Sequence, residues 1–366
     1  MSFSVGIVGL PNVGKSTLFK ALTKIKIDIA PYPFTTIHPN VGVVHVPDER
    51  LTKIAEIIKP EKVTPTIIEF VDIAGLVKGA HKGEGLGNQF LAQIRNCDAI
   101  VEVVRGFSAS AESYGGPAVA PTSRSEGGED QKLQYQLWEP PDPERDVDIV
   151  KVELLMKDLE NLEGLLSKIE KEVKSKDKMA MKKAVLLEKI KYFISRGKLI
   201  SELELTDEEK LEIKEYQFLT QKPVLYLLNT DGDKGLSPKI PHLEMNLRDE
   251  VDFSEFSQAE ALELGLKSQL DQLILGCYNI LDLITFFTVA GGKETRAWTL
   301  KRGLRAPDAG GVVHSDFQEK FIKAEVIPWQ QLAKAGNWKE ARESGWLKIV
   351  GHEYQIQDGD VIEFRI

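Results

Sequence analysis

Two glycines, a lysine and a hydroxyl near the start of the chain are the residues best equipped for chemistry. Gly9-Leu-Pro-Asn-Val-Gly14-Lys15-Ser16 fits GxxxxGK(S/T), and Thr17 follows. Glycines at these places let backbone N–H groups come close to phosphate oxygens, and a helix starting here turns the positive end of its dipole to the same anion. Lys15 is expected to reach the β and γ oxygens of a nucleoside triphosphate, and the Ser16 hydroxyl to ligate Mg²⁺. Asp72-Ile-Ala-Gly75 supplies a second part. Asp72 can hold Mg²⁺ through a water, and the Gly75 N–H can sense a γ-phosphate. Between the two lies Tyr32-Pro-Phe-Thr35-Thr36-Ile37. One threonine there can complete the Mg²⁺ shell only when the γ-phosphate is present, which is how a switch loop orders and releases.

These groups need elements to hold them. Residues 3–105 alternate short apolar strands with helical stretches, the pattern of a parallel α/β sheet. Val5–Leu10, Ile67–Val71 and Asp98–Val104 read as strands, and Thr17–Leu22 as the helix after the phosphate loop. Ser108–Asp130 is rich in Gly, Ser, Ala and Pro and reads as a loop, closed by Pro140-Pro-Asp-Pro143. From Asp148 to about Lys198 the leucines Leu154, Leu155, Leu159, Leu162, Leu165 and Leu166 recur at helical spacing. They predict an amphipathic helix paired antiparallel with Ala184–Phe193, its leucine stripe packed as core. The tip would be Lys171–Lys183, rich in lysine, with Glu172 and Asp177 as its acids. The sheet pattern returns at Pro223–Leu228, and a helix is expected over about Ser257–Leu283. The C-terminal stretch reads as a small separate domain with strands at Ile284–Val289 and Val361–Arg365 and a turn at Gln357–Asp360.

Bulk properties bound the function. The chain has 366 residues, 42% hydrophobic and 28% charged, which fits two or three soluble globular units. Its net charge of −9 excludes a general nucleic-acid sponge but not local basic patches. Cys97 and Cys277 lie far apart in apolar surroundings and read as buried thiols. No signal peptide and no long uninterrupted apolar run is visible, so a cytoplasmic protein with no membrane partner is expected, and a monomer.

With these segments in place, the chain resembles the YchF group of the Obg-related P-loop NTPases. The resemblance rests on GLPNVGKSTLFKALTK (Gly9–Lys24), YPFTTIHPNVGVVHVPDERL (Tyr32–Leu51), FVDIAGLVKGAHKGEGLGNQFLAQIRNCDAI (Phe70–Ile100) and DPERDVDIVKVELLMKDLENLE (Asp142–Glu163), and on Lys293–Ile327 and Tyr354–Arg365 near the C-terminus. It implies an α/β P-loop G domain over 1–281, with an inserted helical hairpin over 148–215. A ubiquitin-like β-grasp TGS domain is implied over 282–366. It also implies ribosome association and a preference for ATP over GTP. Carried over, Asn12, Val13, Gly14, Lys15, Ser16 and Thr17 bind phosphate, while Ser16 and Thr36 bind Mg²⁺. Leu76 stands where many GTPases have a water-orienting glutamine, so slow intrinsic hydrolysis is expected. In some relatives with this loop an asparagine at the place of Asn12 ligates K⁺; the simpler reading is that it shapes the loop.

The match departs from the pattern at the base. The YchF group has NxxE where GTPases have NKxD, and here the string is Asn229-Thr-Asp-Gly232. Asn229 and the Thr230 backbone are the expected base contacts, with Asp231 or Asp233 as substitutes for the lost carboxylate. Met245-Asn246-Leu247 does not match the family's Ser/Cys-Ala contact. No histidine occurs between His81 and His242, although relatives carry one just before their DP(x)RD string. Lys293, Arg296, Lys301, Arg302 and Arg305 with Trp298 and His314 form a candidate RNA patch, and the hairpin tip a second.

The reading that follows is an NTPase, ATP favoured over GTP, with Lys15, Thr36 and Gly75 at the reacting phosphate and the ribosome as partner. Its rivals are a nucleotide-gated ribosome or RNA adaptor that does not hydrolyse, and a conventional GTPase.

Overall fold

Strands with no polar alternation need cover on both faces, and the seven residues of Ala99–Arg105 are all buried. The structure, a computed structural model, describes residues 3–24, 40–73, 86–107, 141–230, 238–254, 256, 260, 263, 268–290 and 293–366. Its first part runs β1 (Ser4–Val8), α1 (Lys15–Lys24), β2 (Val41–His45), α2 (Glu49–Ile58), β3 (Lys62–Thr64), β4 (Ile67–Asp72), α3 (Leu86–Asn96), β5 (Ala99–Arg105), α4 (Pro143–Lys174), α5 (Lys178–Ile194), α6 (Asp207–Ile213), β6 (Val224–Asn229), β7 (His242–Met245), α7 (Leu247–Phe253) and α8 (Leu270–Ile280). The first sheet has the order β2-β4-β1-β5-β6-β7. Among its described strands only β2 runs antiparallel to its neighbour. Val5 and Ile7 face Leu18 and Leu22 of α1 and Leu273 and Cys277 of α8. Val8 and Ile100 face Phe90 and Ile94 of α3 and Val150 and Leu154 of α4. Both thiols are buried as expected.

The hairpin begins earlier than its leucine pattern. Asp142 caps α4, its carboxylate accepting from Arg145 N at 3.1 Å, and Pro143 gives up an N–H that the first turn could not pair. Ser175–Asp177 reverse the chain, with Lys176 at φ 58°. Leu155 and Leu162 pack against Leu186, Leu187 and Ile190, and Ile213 of α6 and Phe218 close the end of this core. The stripe is therefore packing, as expected. The helix expected to reach Leu283 stops at Ile280, because Asp282 takes φ 51° and β8 follows at once.

One buried carboxylate moors the hairpin. Asp158, fully buried, accepts from Leu219 N at 2.9 Å and from Thr220 N and Oγ1 at 2.7 Å each. Burial raises its pKa, and those bonds oppose the rise.

The second part runs β8 (Leu283–Ala290), β9 (Glu294–Lys301), α9 (Ala306–Val313), α10 (Ser315–Glu319), β10 (Lys323–Pro328), α11 (Trp329–Ala335), α12 (Trp338–Glu343), β11 (Lys348–Val350) and β12 (Asp360–Arg365). Its sheet has the order β11-β10-β12-β8-β9-β3, so a strand from the first part completes it. Adjacent residues of β8 serve opposite faces. Phe286 packs with Leu300, Phe321 and Ile362. Phe287 packs with Leu51 and Ile54 of α2 and with Leu332 of α11.

Asp158→Ala leaves two buried backbone N–H groups without an acceptor. We expect a loss of roughly 3 kcal/mol in urea-unfolding stability. A change within about 0.5 kcal/mol, the range of surface substitutions, would show that the mooring carries no weight.

Candidate functional site

The phosphate loop is built by positions that reject side chains. β1 stops at Val8, short of the expected Leu10, because Gly9 turns the chain at φ 146°. A Cβ on Gly9 would lie 2.4 Å from Val103 O, and one on Gly14, at φ 108°, 2.5 Å from Asn229 Nδ2. Glycine alone fits both demands. Asn12 takes φ 62°, one of the few residues besides glycine that tolerate it, which favours the loop-shaping role. Val13 is buried in the core beneath the loop. α1 then begins at Lys15, two residues before its expected start, with Leu18 N donating to Gly14 O at 2.9 Å. The N–H groups of Lys15, Ser16 and Thr17 belong to its first turn, where no intrahelical acceptor exists.

Three expected residues converge at the mouth of this loop. Lys15 Nζ donates to Leu10 O at 2.7 Å, and the Ser16 hydroxyl donates to Asp72 Oδ2 at 3.4 Å. Asp72 stands at the end of β4, level with Ile7 of β1. Burial lowers the Lys15 pKa to about 8, against the pull of the Asp72 charge. Burial raises the Asp72 carboxyl, while Lys15 and Ser16 pull it back. A hydroxyl and a half-buried carboxylate side by side are hard oxygen donors, and they suit Mg²⁺. Among the described residues no group of three His, Cys, Asp or Glu could hold a metal by itself. Thr36, Gly75, Leu76, His81, Asp231, Gly232, Asp233 and the 108–140 loop lie outside the described residues.

Asn229 does something that its place in the string does not reveal. Its Nδ2 donates to Val13 O at 2.9 Å, and its Oδ1 accepts from Leu247 N at 3.3 Å. It therefore joins the phosphate loop to the start of α7, and one amide hydrogen remains for a ligand. Thr230 N donates to Met245 O at 2.9 Å, so the N–H of this expected base contact is paired within the fold. Asn246 caps α7, its Oδ1 accepting from Arg248 N at 3.1 Å and Asp249 N at 3.4 Å.

Sequence reasoning missed a buried acid beside the site. Glu102, paired with Val8 in the sheet, is 4% exposed and faces Asp146. Burial, aided by the Asp146 charge, holds its carboxyl well above the usual range. A glutamate inside Ala99-Ile-Val-Glu-Val-Val-Arg105 was the available signal.

The two candidate RNA patches fare differently. In the C-terminal one, Arg296 stacks on Trp298 with its guanidinium 3.9 Å from the ring centroid. Arg302 pairs with Asp282 at 3.0 Å and Arg305 with Glu353 at 2.7 Å. Trp298 Nε1 donates to Thr288 Oγ1 and His314 caps α10, so most of this patch is spent on the fold. At the hairpin tip Lys174 pairs with Glu170 and Lys183 with Glu215, while Lys171, Lys176, Lys178 and Lys182 are exposed. Met179 and Met181 are exposed among them.

A family profile described as 50S ribosome-binding GTPase matches residues 4–131. A C-terminal YchF-GTPase profile, described as a protein of unknown function, matches residues 283–366. The Ribosome-binding ATPase YchF of Bacillus subtilis is 40% identical, with 100% of this chain and 99% of the relative covered. The chain belongs to the YchF family. The protein of the same name from Haemophilus influenzae is 41% identical over the same shares. A solved structure, that of the Schizosaccharomyces pombe YchF GTPase, superposes with a TM-score of 0.81 at 33% identity, covering 100% of this chain and 98% of that one. The chain thus has a P-loop GTPase-type fold that the profile matches over residues 4–131, and the YchF likeness covers the whole chain. No described helix is long and apolar enough to cross a membrane.

We expect Lys15, whose pKa burial lowers to about 8, to be charged when it grips phosphate. Nucleotide binding raises its pKa again, so binding takes up a proton and affinity falls as pH rises above about 8. Titration calorimetry at pH 8.5 in buffers of different ionisation enthalpy checks this. Equal apparent enthalpies in all buffers would refute it.

Proposed function

We propose that this chain is a ribosome-associated, Mg²⁺-dependent P-loop NTPase that hydrolyses ATP to ADP and phosphate. The observation that carries the reading is the convergence of Lys15, Ser16 and Asp72 at the mouth of a loop held open by Gly9 and Gly14. The backbone N–H groups from Asn12 to Thr17 cradle the phosphates. Lys15 holds the β and γ oxygens, and Thr36 and Gly75 report the γ-phosphate. Ser16 and Thr36 would ligate Mg²⁺, with Asp72 acting through water. When bound, the metal neutralises charge on the phosphate oxygens. Water attacks directly, and with Leu76 in the glutamine position the chain has no side-chain amide there to align it, so hydrolysis is slow without a partner.

The base end favours adenine. A guanine O6 needs an N–H donor. The N–H groups of Leu247, Arg248 and Asp249 at the start of α7 are already given to Asn229 and Asn246. The gap at Gly232 removes the usual carboxylate acceptor for guanine. The bacterial relatives are named ATPases, which agrees, whereas the Schizosaccharomyces pombe relative is named a GTPase, so both nucleotides belong in the test. We assign residues 1–281 to the G domain, with 148–215 as its inserted hairpin, and 282–366 to a β-grasp TGS domain. The hairpin tip is our choice for a ribosomal RNA contact.

Calorimetric competition should show ATP bound more tightly than GTP, and Lys15→Ala should weaken both by at least about 100-fold, or roughly 2.7 kcal/mol. Tighter GTP binding would make this a conventional GTPase, and single-turnover assays with ribosomes that release no phosphate would make it an adaptor. Replacing Lys171, Lys176, Lys178 and Lys182 by Gln should lower the salt dependence of ribosome binding by about three in log–log slope. An unchanged slope in co-sedimentation would move the RNA contact elsewhere.

A further inference from the structure

The ribbon made by β2 and β4 has two ends in two different places. At one end Asp72 meets Ser16, and Asp72 N donates to Asn40 O at 2.9 Å. The register runs without a bulge from Val41 opposite Val71 to His45 opposite Ile67. The other end is closed by Val46 N donating to Thr66 O at 3.0 Å. Five paired residues at about 3.3 Å each make a stiff link of roughly 17 Å.

Between Val46 and Thr66 the chain leaves the first sheet and enters the second. β3 pairs in parallel with β9, Lys62 opposite Glu294 and Thr64 opposite Arg296. Leu51 and Ile54 are buried against Phe287, Ile327 and Leu332. Arg50 donates to both carboxylate oxygens of Asp358, at 2.7 and 3.2 Å, and its guanidinium lies over the Phe287 ring. Asp358 Oδ1 also accepts from Thr285 N at 2.9 Å. Thr66 and Thr299 share a buried hydrogen bond of 2.6 Å, and the Tyr278 hydroxyl joins Thr299 at 3.1 Å. Sheet pairing, apolar burial and a bidentate ion pair thus fix the same seam.

We propose that the excursion 47–65 is a latch by which the state of the nucleotide site reaches the C-terminal unit and is in turn biased by whatever that unit binds. The inference rests on the nucleotide-binding reading above and adds its regulation. The ribbon carries the Mg²⁺-side carboxylate at one end and is bolted to the second sheet at the other. A shift of Asp72 on binding Mg²⁺ and triphosphate must therefore move the α2–β3 seam or strain it. Linkage makes the effect reciprocal: a ligand of the C-terminal unit that prefers one seam geometry alters nucleotide affinity by the same factor.

The test is hydrogen–deuterium exchange on the full chain, with and without Mg²⁺ and the ATP analogue AMP-PNP. In the wild type, exchange should slow at least threefold both at the phosphate loop and in β9 and α11. In Asp358→Asn, which keeps an acceptor for Thr285 N but loses the ion pair with Arg50, protection of the loop should persist and that of β9 and α11 should fall away. Arg50→Lys should give an intermediate result, and thermal melts confirm that both variants fold. Protection confined to the phosphate loop in the wild type would overturn the latch and leave the nucleotide reading intact. Undiminished protection of β9 in Asp358→Asn would overturn it as well. No protection anywhere would remove both.

Discussion

One amide side chain carries the geometry on which the site depends. Asn229 lies where β6 ends, and its two polar atoms bind a carbonyl of the phosphate loop and the first N–H of α7. Gly14 must be bare because this amide passes so close to it. The loop is therefore set from below by the core through Val13 and from the side by Asn229. Its N–H groups can point outward without paying reorganisation energy when an anion arrives. A neighbouring side chain that could not both donate and accept would leave one of two buried backbone groups unpaired.

The same neighbourhood shows how charge is managed where water is scarce. Lys15 and Asp72 are each pushed by burial toward neutrality, and each is held back by the other. On the proposed reading, that balance leaves the ammonium for phosphate and the carboxylate for a divalent cation. Glu102 follows a different rule. Burial first, and then the acid Asp146 beside it, push its carboxyl well above the usual range. It sits in the middle of β5, near Asp146 in the first turn of α4, where an ionised carboxylate would be costly.

Much of this was legible in the sequence because local chemistry set it. The phosphate string, the strand before Asp72 and the leucine stripe of the hairpin each follow from short-range spacing, and the structure places Lys15, Ser16 and Asp72 together. Boundaries slipped where one residue decides: Gly9 ended a strand early, Asp142 and Pro143 began a helix early, and Asp282 ended one. What could not be read was long-range. Nothing in Lys62-Val-Thr64 says that it completes a sheet with residues 294–296. Nothing in the basic run after Lys293 says that Arg302 and Arg305 would be spent on Asp282 and Glu353. Asn229 was expected at the base because its position in the string suggests a ligand, while its partners, Val13 and Leu247, come from elsewhere in the chain.

The seam between the two sheets also bears on how the protein is made. Arg50 and Asp358 are 308 residues apart, and Thr66 and Thr299 are 233 apart. At about 5–20 residues per second, a ribosome finishes the second partner of the ion pair roughly 15–60 s after the first. Throughout that interval Leu51, Ile54 and the open edge of β3 have no cover from the unit that will bury them. A nascent chain at this stage presents an apolar helix face and an unpaired strand, the surfaces through which incomplete chains aggregate. The amphipathic stretch from Glu49 to Thr64 is thus a hazard early in the life of the molecule and a fastening later.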